Sequence, residues 1–437
     1  MSKASSERII QEEEFVAILA THAKNFLCFL NLLRGRDTRD WVKRHYNELM
    51  DRAHELETLL DDYGARNNRS FWFLGELVAS LRGFGKAATM VKHLLGRYQR
   101  YHLVLSEELT REFFAETDRA IRFMNQGILT LMNALLKEFR KVGVRIPSEV
   151  QRDSTVAEGR VRESLPHNFD DEDAREEVQE DDSRVAKVAS HYLSALEHTS
   201  GLRRERMDDP LALRRFVDDT YDEERARAIE AWVHSIQSKY DTYVKNTPLE
   251  VQAPSLPAMR GHASTALHLL EVATELTHFY VRHEKGVRSK KQQTGIARLI
   301  DRAEVLHQIV NYALFFAVRV LEAGRPFAED ALSLFVRGEE LRVFIPENET
   351  LHARPISLIV RIVNQYETHV EMVIAGKSCS AASIMEIIMI AGDHPTAREI
   401  VFRGGAQPLQ DLQLLFENGL GEGGLDRLPE QLSYLRG

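Results

Sequence analysis

The chain has 437 residues, too many for one compact core, so two or three domains are expected. Hydrophobic residues make up 43% and charged residues 28%, a soluble globular balance that excludes a largely disordered chain. A net charge of −9, with no stripe of basic and aromatic residues, excludes general nucleic-acid binding.

The N-terminal run MSKASSERIIQEEEF has no apolar signal core. The apolar stretch Phe15 to Leu33 is interrupted by His22, Lys24 and Asn25 and reads as too polar to span a bilayer. The two cysteines, Cys28 and Cys379, lie far apart and form no metal or disulfide framework, which points to a reducing, cytoplasmic setting without membrane attachment. The first proline is Pro147, and helices are expected near 8–34, 38–63, 71–101 and 107–142. In the last of these, Ile121, Met124, Ile128, Leu131, Met132, Leu135 and Phe139 form one apolar stripe. Lys137, Arg140 and Lys141 suit its C-terminal dipole, and Gly143 offers a stop. Short connections favour antiparallel neighbours, so residues 1–146 are expected to form a first four-helix bundle.

From 147 to 182 the chain is acidic and poor in large apolar residues, and it reads as a linker. Helical patterns resume near 183–204, 209–246, 256–287 and 293–323, giving a second four-helix bundle over 183–335. VKHLLGRY (Val91–Tyr98) resembles LTHFYVRH (Leu276–His283), and the segment from Asp118 resembles that from Asp301, as a tandem duplication would produce. Each last helix is expected to stop near a glycine, Gly143 or Gly324. The helical region reads as an interaction or homo-oligomerisation module.

After Gly324-Arg325-Pro326 the periodicity changes. LRVFIPE (Leu341–Glu347), THVEMVIAG (Thr368–Gly376) and REIVFRGG (Arg398–Gly405) read as strands. Helical stretches fall at Ala353–Asn364, Ser383–Ile390 and Leu409–Glu417. The order strand, helix, strand, strand, helix, strand, helix over 341–437 indicates an α+β open-faced sandwich, with helices on one face of a small antiparallel sheet.

The chemistry concentrates in Thr350-Leu351-His352-Ala353-Arg354-Pro355-Ile356. His352 stands just before an amphipathic helix, and Pro355 lies in the first turn, where a missing N–H costs nothing. The free amides of Ala353 and Arg354 then form an anion site beside the imidazole, and the Arg354 guanidinium adds a fork suited to phosphate oxygens. A neutral imidazole is a good nucleophile, so this pattern suits a reversible phosphohistidine at His352.

These residues resemble the phosphorylation motif of the histidine-containing phosphocarrier (HPr) family, glycine-leucine-histidine-alanine-arginine-proline-alanine, in its central five positions. A second stretch, GKSCSAASIMEIIMIAG (Gly376–Gly392), is similar to the family's regulatory-serine region, with Ser383-Ile384-Met385 at its centre. AREIVFRGGAQPLQDLQLLF fits the family's ending, so the resemblance covers about Leu341 to Leu420. The resemblance implies that His352 receives phosphate from enzyme I of the phosphoenolpyruvate-dependent sugar phosphotransferase system and passes it to an acceptor protein. It also implies regulation by a serine kinase at Ser383, next to partner docking through Ile384 and Met385. Thr350 replaces a glycine that points to an unusual backbone angle. Ile356 replaces an alanine and is expected to crowd the imidazole, and Glu386 brings a negative charge to the partner-binding face.

Plainer readings stand beside these. Ser383 fits a helix N-cap whether or not a kinase uses it. His93 and His278 hold matching places in the two helical halves and are the alternative phosphoryl acceptors. However, HLLG (His93–Gly96) lacks a motif lysine, HEKG (His283–Gly286) is a partial match, and both read as ordinary partly buried histidines. No metal-ligand spacing and no glycine-rich phosphate loop occurs, so no metal, nucleotide or other cofactor is implied. The sequence therefore points to a phosphocarrier or regulatory protein more than to an independent enzyme. The competing class is an HPr-like binding module that docks partners without phosphoryl transfer.

Overall fold

In a computed structural model, the structure describes residues 9–151, 178–202, 205–247, 249–250, 253–284, 295–335, 339–346, 350–366 and 370–436. Most of the expected linker, 152–177, and the end of HEKG lie outside these residues. The chain forms two compact units: Met1–His167 with Thr199–Trp232 and Ser264–Leu321, and Asn168–His198 with Val233–Ala263 and Glu322–Gly437.

The first unit contains α1 (Glu12–Arg34), α2 (Lys43–Asp62), α3 (Trp72–Arg97) and α4 (Glu107–Lys141). Helix α2 packs on α3, α3 on α4, and α1 against α2 and α4. The stripe foreseen on α4 is buried throughout. Ser106 caps its start by accepting from the Leu109 amide, and Gly143 follows its end with φ +91°. The stretch expected as one helix over 38–63 starts only at Lys43. Asp37 instead caps a separate 3-10 turn, Thr38–Asp40, by accepting from the Arg39 amide.

A network of charged and polar side chains ties α2 and α3 to Ser264–Glu284 in this unit. Glu57 and Glu76 are buried, with Arg82 2.6 Å from Glu57 and Arg282 within 3.9 Å of both carboxylates. His283 is buried beside them, its Nε2 3.2 Å from the Ser80 hydroxyl and its Nδ1 3.6 Å from Glu76. Burial first, then Arg282 and His278, pushes its pKa from 6.5 down to about 3. An unfolded chain takes up a proton on this imidazole below about pH 6.5, whereas the folded chain does not until far lower pH. Stability must therefore fall with pH across that window. Between about pH 6 and pH 4.5 the loss is expected to be roughly 2 kcal/mol. Urea unfolding followed by circular dichroism at several pH values measures it, and His283→Gln is expected to flatten the slope.

The second helical stretch departs from expectation in two places. Residues 209–246 form two helices, α6 (Pro210–Asp219) and α7 (Glu223–Tyr243). Asp209 caps the first through the Leu211 amide and Asp222 accepts from the Arg225 amide at the start of the second, so a fresh helix begins where one was read as continuous. Helices α5 (Val178–Ser200) and α8 (Ser255–Glu284) precede and follow this pair. The last stretch is helical at 295–297, breaks, and resumes with α9 (Arg302–His307), capped by Asp301, which widens into a π-helical turn over Gln308–Leu314 and continues as α10 (Phe315–Phe335). Thus α10 does not stop at Gly324 but runs through Gly324-Arg325-Pro326. Gly324 is a packing glycine: a Cβ there would overlap the Tyr192 hydroxyl and lie 2.7 Å from His262 Cβ, all within the second unit. Asp118 sits inside α4 while Asp301 is a cap, so these resembling segments occupy different helical positions.

Two helical stretches, Glu12–Arg34 and Arg302–Leu334, are long and apolar enough to cross a membrane. The expectation that the first is too polar therefore does not hold on length and composition alone. Leu19, Phe26, Leu27, Phe29, Leu30 and Leu33 on it are buried, as in a core helix, and the second is mostly buried.

The second unit ends in the α+β sandwich. Strands β1 (Glu339–Phe344), β2 (Val370–Ile374), β3 (Lys377–Ser380) and β4 (Glu399–Gly404) form an antiparallel sheet of order β1-β4-β2-β3. Helices α11 (Ala353–Gln365), α12 (Ile384–Asp393) and α13 (Ala406–Glu417) cover one face. Alternation puts Val370, Met372, Ile374, Ile400 and Phe402 into a core with Ile356, Ile359, Ile362, Ile387, Leu412 and Leu415. The opposite face carries Glu340, Arg342, Glu371 and Arg403 in ion pairs. Ala375 (φ +50°) and Gly376 (φ +80°) make the two-residue turn from β2 to β3, the handedness that tight hairpins favour. After α13 the chain folds back, burying Leu420, Leu428, Leu432 and Leu435. Tyr366 and Tyr434 both donate to Asp411 Oδ2 at 2.6 Å, which ties this tail to the core; burial and the carboxylate push Tyr366 up to about 12.

Candidate functional site

Helix α11 begins where the chain leaves an extended residue, His352 (φ −103°, ψ −176°), which serves as the N-cap. Its Nδ1 faces the Arg354 amide at 3.4 Å, a long contact that costs little to break. The Ala353 amide has no partner among the described residues, and Pro355 has no N–H to satisfy. The start of α11 thus places the Ala353 and Arg354 amides beside the imidazole. The Arg354 side chain is exposed and makes no ion pair among the described residues.

The ring itself is accessible, with 51% of its side-chain surface exposed, and its Nε2 lies 3.0 Å from Glu422 Oε1. Glu422 follows a turn of three left-handed residues, Gly419, Leu420 and Gly421. Leu420 is buried, and a Cβ on Gly421 would lie 2.7 Å from Leu358 Cδ1, so the turn is seated against α11. No spacing in the sequence reveals this residue. It sits in a glycine-rich run beyond the last clear helix, and only the folded-back tail brings it to the ring.

One expectation about the departures is corrected. Ile356 does not crowd the imidazole: it is buried in the core, one turn behind His352, where its larger side chain fills space under the sheet. Beside the ring lies a groove of about 380 Å³, lined by Leu351, Ile356, Ile388, Ala391, His394 and Pro395 among others.

Ser383 caps α12, its hydroxyl accepting from the Glu386 amide at 3.4 Å. The Glu386 carboxylate accepts from the Ser380 amide at 2.9 Å, so this charge serves to fasten β3 to α12. Buried Cys379 is pushed up to about 12 by burial, Glu386 and Glu371, and is no thiolate nucleophile. Ile384 and Met385 are exposed, and with Ile388 and Met389 they form an apolar patch on α12.

The alternative acceptors are differently placed. His93 Nδ1 lies 2.6 Å from Lys43 Nζ, and the ring packs edge-on to His268 with centroids 4.6 Å apart. Burial first, then His268 and Lys43, lowers its pKa to about 4. The nitrogen that faces Lys43 is already occupied by a donor. His278 Nδ1 pairs with Glu223 at 2.8 Å. Neither stands at a helix start. Among the described residues no group of three or more His, Cys, Asp or Glu could hold a metal ion.

Residues 340–417 match the family model described as PTS HPr component phosphorylation site. The C-terminal part of the chain is therefore an HPr-like domain, and it gives the protein a phosphocarrier-related role connected with the phosphotransferase system. No curated protein and no solved structure matches the chain.

Proposed function

We propose that the protein accepts a phosphoryl group on His352 from enzyme I and passes it to, or signals through, a partner protein. The observation that carries this reading is the accessible imidazole at an open helix start, with Nδ1 turned toward the Arg354 amide. When phosphate arrives on Nδ1, that amide and the Ala353 amide are free to donate to phosphoryl oxygens, and the Arg354 guanidinium supplies positive charge. A surface helix end stabilises the phosphate by about 0.3–1 kcal/mol, weak enough to let it go again.

The apolar patch of Ile384, Met385, Ile388 and Met389 would dock both donor and acceptor. Phosphate placed on Ser383 by a serine kinase would put charge at the edge of this patch and block docking more than it disturbs the fold. The domains we assign are a helical bundle over 1–146, a linker over 147–182, a second bundle over 183–335 and the carrier over 341–437. In this reading the helical part is an output module that connects the phosphorylation state of the carrier to a partner or to a second copy, in the cytoplasm. Within the second unit, Leu193 and Glu197 of α5 and Arg325 and Glu329 of α10 line a cleft of about 520 Å³ with Ser380, Glu386 and Arg403. Burial and then Glu386 raise the Glu197 pKa, so the helices and the Ser383 end of α12 share one electrostatic environment. A carrier joined to this much helical chain is larger than sugar transport needs, which favours regulation.

Incubation of the full chain with phosphoenolpyruvate and enzyme I tests the reading. Acid-labile label is expected; its absence under every condition would favour the binding module that docks without transfer.

A further inference from the structure

Resting on the phosphoryl-acceptor reading of His352, we propose that Glu422 is a positioning residue that holds the ring's Nε2–H, leaves Nδ1 as the nucleophile and stabilises the charge formed there. A neutral imidazole carries one proton, and its partners decide where. Nδ1 faces a donor, the Arg354 amide, and so must accept. Nε2 faces the Glu422 carboxylate at 3.0 Å, which when ionised can only accept, so Nε2 carries the proton. Both contacts select the same tautomer and turn the lone pair toward the start of α11.

The carboxylate has a second effect during transfer. The Nδ1 lone pair attacks phosphorus, the bond from phosphorus to the donor's leaving atom breaks, and that atom keeps the electron pair. No proton leaves the ring. With phosphorus on Nδ1 and hydrogen on Nε2 the imidazole becomes cationic, and the new charge lies next to Glu422. The interaction is therefore stronger in the transition state than before attack, the condition for accelerating the step. The surrounding fold holds the carboxylate in place: Leu420 is anchored in the core and Gly421 abuts Leu358, so the 419–421 turn has little freedom to move it away. Glu422 also lies outside residues 340–417, so the tail beyond the matched segment contributes to the site.

The test compares the full chain with Glu422→Ala and Glu422→Gln, after circular dichroism has matched their folds. The first readout is the proton on His352 Nε2, observed by nuclear magnetic resonance with labelled histidine. A hydrogen-bonded signal is expected in the wild type, kept in the isosteric Gln variant, and lost to solvent exchange in the Ala variant. The second is the labelling rate with phosphoenolpyruvate and enzyme I, expected to fall about tenfold in Glu422→Ala and to be only partly restored by Gln, which accepts a hydrogen bond without charge. An Nε2 proton signal unchanged in Glu422→Ala overturns the proposal whatever the labelling rate, as does a labelling rate equal to wild type. If even the wild type takes no label while the Nε2 signal behaves as expected, the carrier reading fails and the positioning contact stands.

Discussion

Replacing His352 by alanine is expected to remove all acid-labile label transferred from phosphoenolpyruvate through enzyme I, with the fold unchanged. The ring is an exposed cap rather than a core residue, and its hydrogen bond to the Arg354 amide is long, so its loss costs the domain about 1 kcal/mol or less. The loss of label is expected to be complete because no other described histidine offers the same combination. His93 faces Lys43 and His268 in a half-buried site, and His278 is paired with Glu223. Label that survives His352→Ala and disappears on substitution of His93 or His278 would move the chemistry to the helical part. The measurement is quantitative labelling of the three single variants beside wild type, with a thermal scan to verify folding.

Gly324→Ala is expected to destabilise the second unit by roughly 3 kcal/mol. One methyl group would have to share space with the buried Tyr192 hydroxyl and with His262 Cβ at 2.7 Å. A Cβ cannot rotate away from its own backbone, so the helices carrying these residues must separate. Gly83 in α3 provides the opposite case. It has no atom within 4 Å of its virtual Cβ, and Gly83→Ala is expected to stabilise its unit by about 0.5–1 kcal/mol through helix propensity alone. Urea unfolding of both variants checks the pair, and equal effects would refute the packing argument.

Much of the fold is written locally. The α4 stripe is legible because 3.6-residue periodicity and burial coincide over many turns. The sheet strands are legible because Val370, Met372 and Ile374 alternate with half-exposed neighbours. Gly324 reads as a stop in the sequence because a glycine that ends a helix and one that admits a neighbouring helix look alike until the neighbour is known. The break at 220–222 is masked in the sequence although Asp222 is a capping type, since the apolar pattern continues on both sides. At the candidate site, His352, Arg354 and Ser383 stand in short contiguous motifs, so the helix starts that they mark are legible in the sequence. Glu422 could not be found that way: it reaches the ring by a turn whose left-handed angles depend on Leu420 being buried and Gly421 packing on Leu358. For Ile356, position in a motif does not say which way a side chain points. It lies on the core stripe of α11, and the imidazole does not.

The central claim is that one imidazole at the start of α11 carries phosphate. Mapping of phosphorylated residues on protein isolated from its own cell, under conditions that preserve phosphohistidine, tests it most directly. The account predicts phosphate on His352, with Ser383 as a separate, acid-stable site. Phosphate on His93 or His278, with none on His352 in any growth condition, would contradict it.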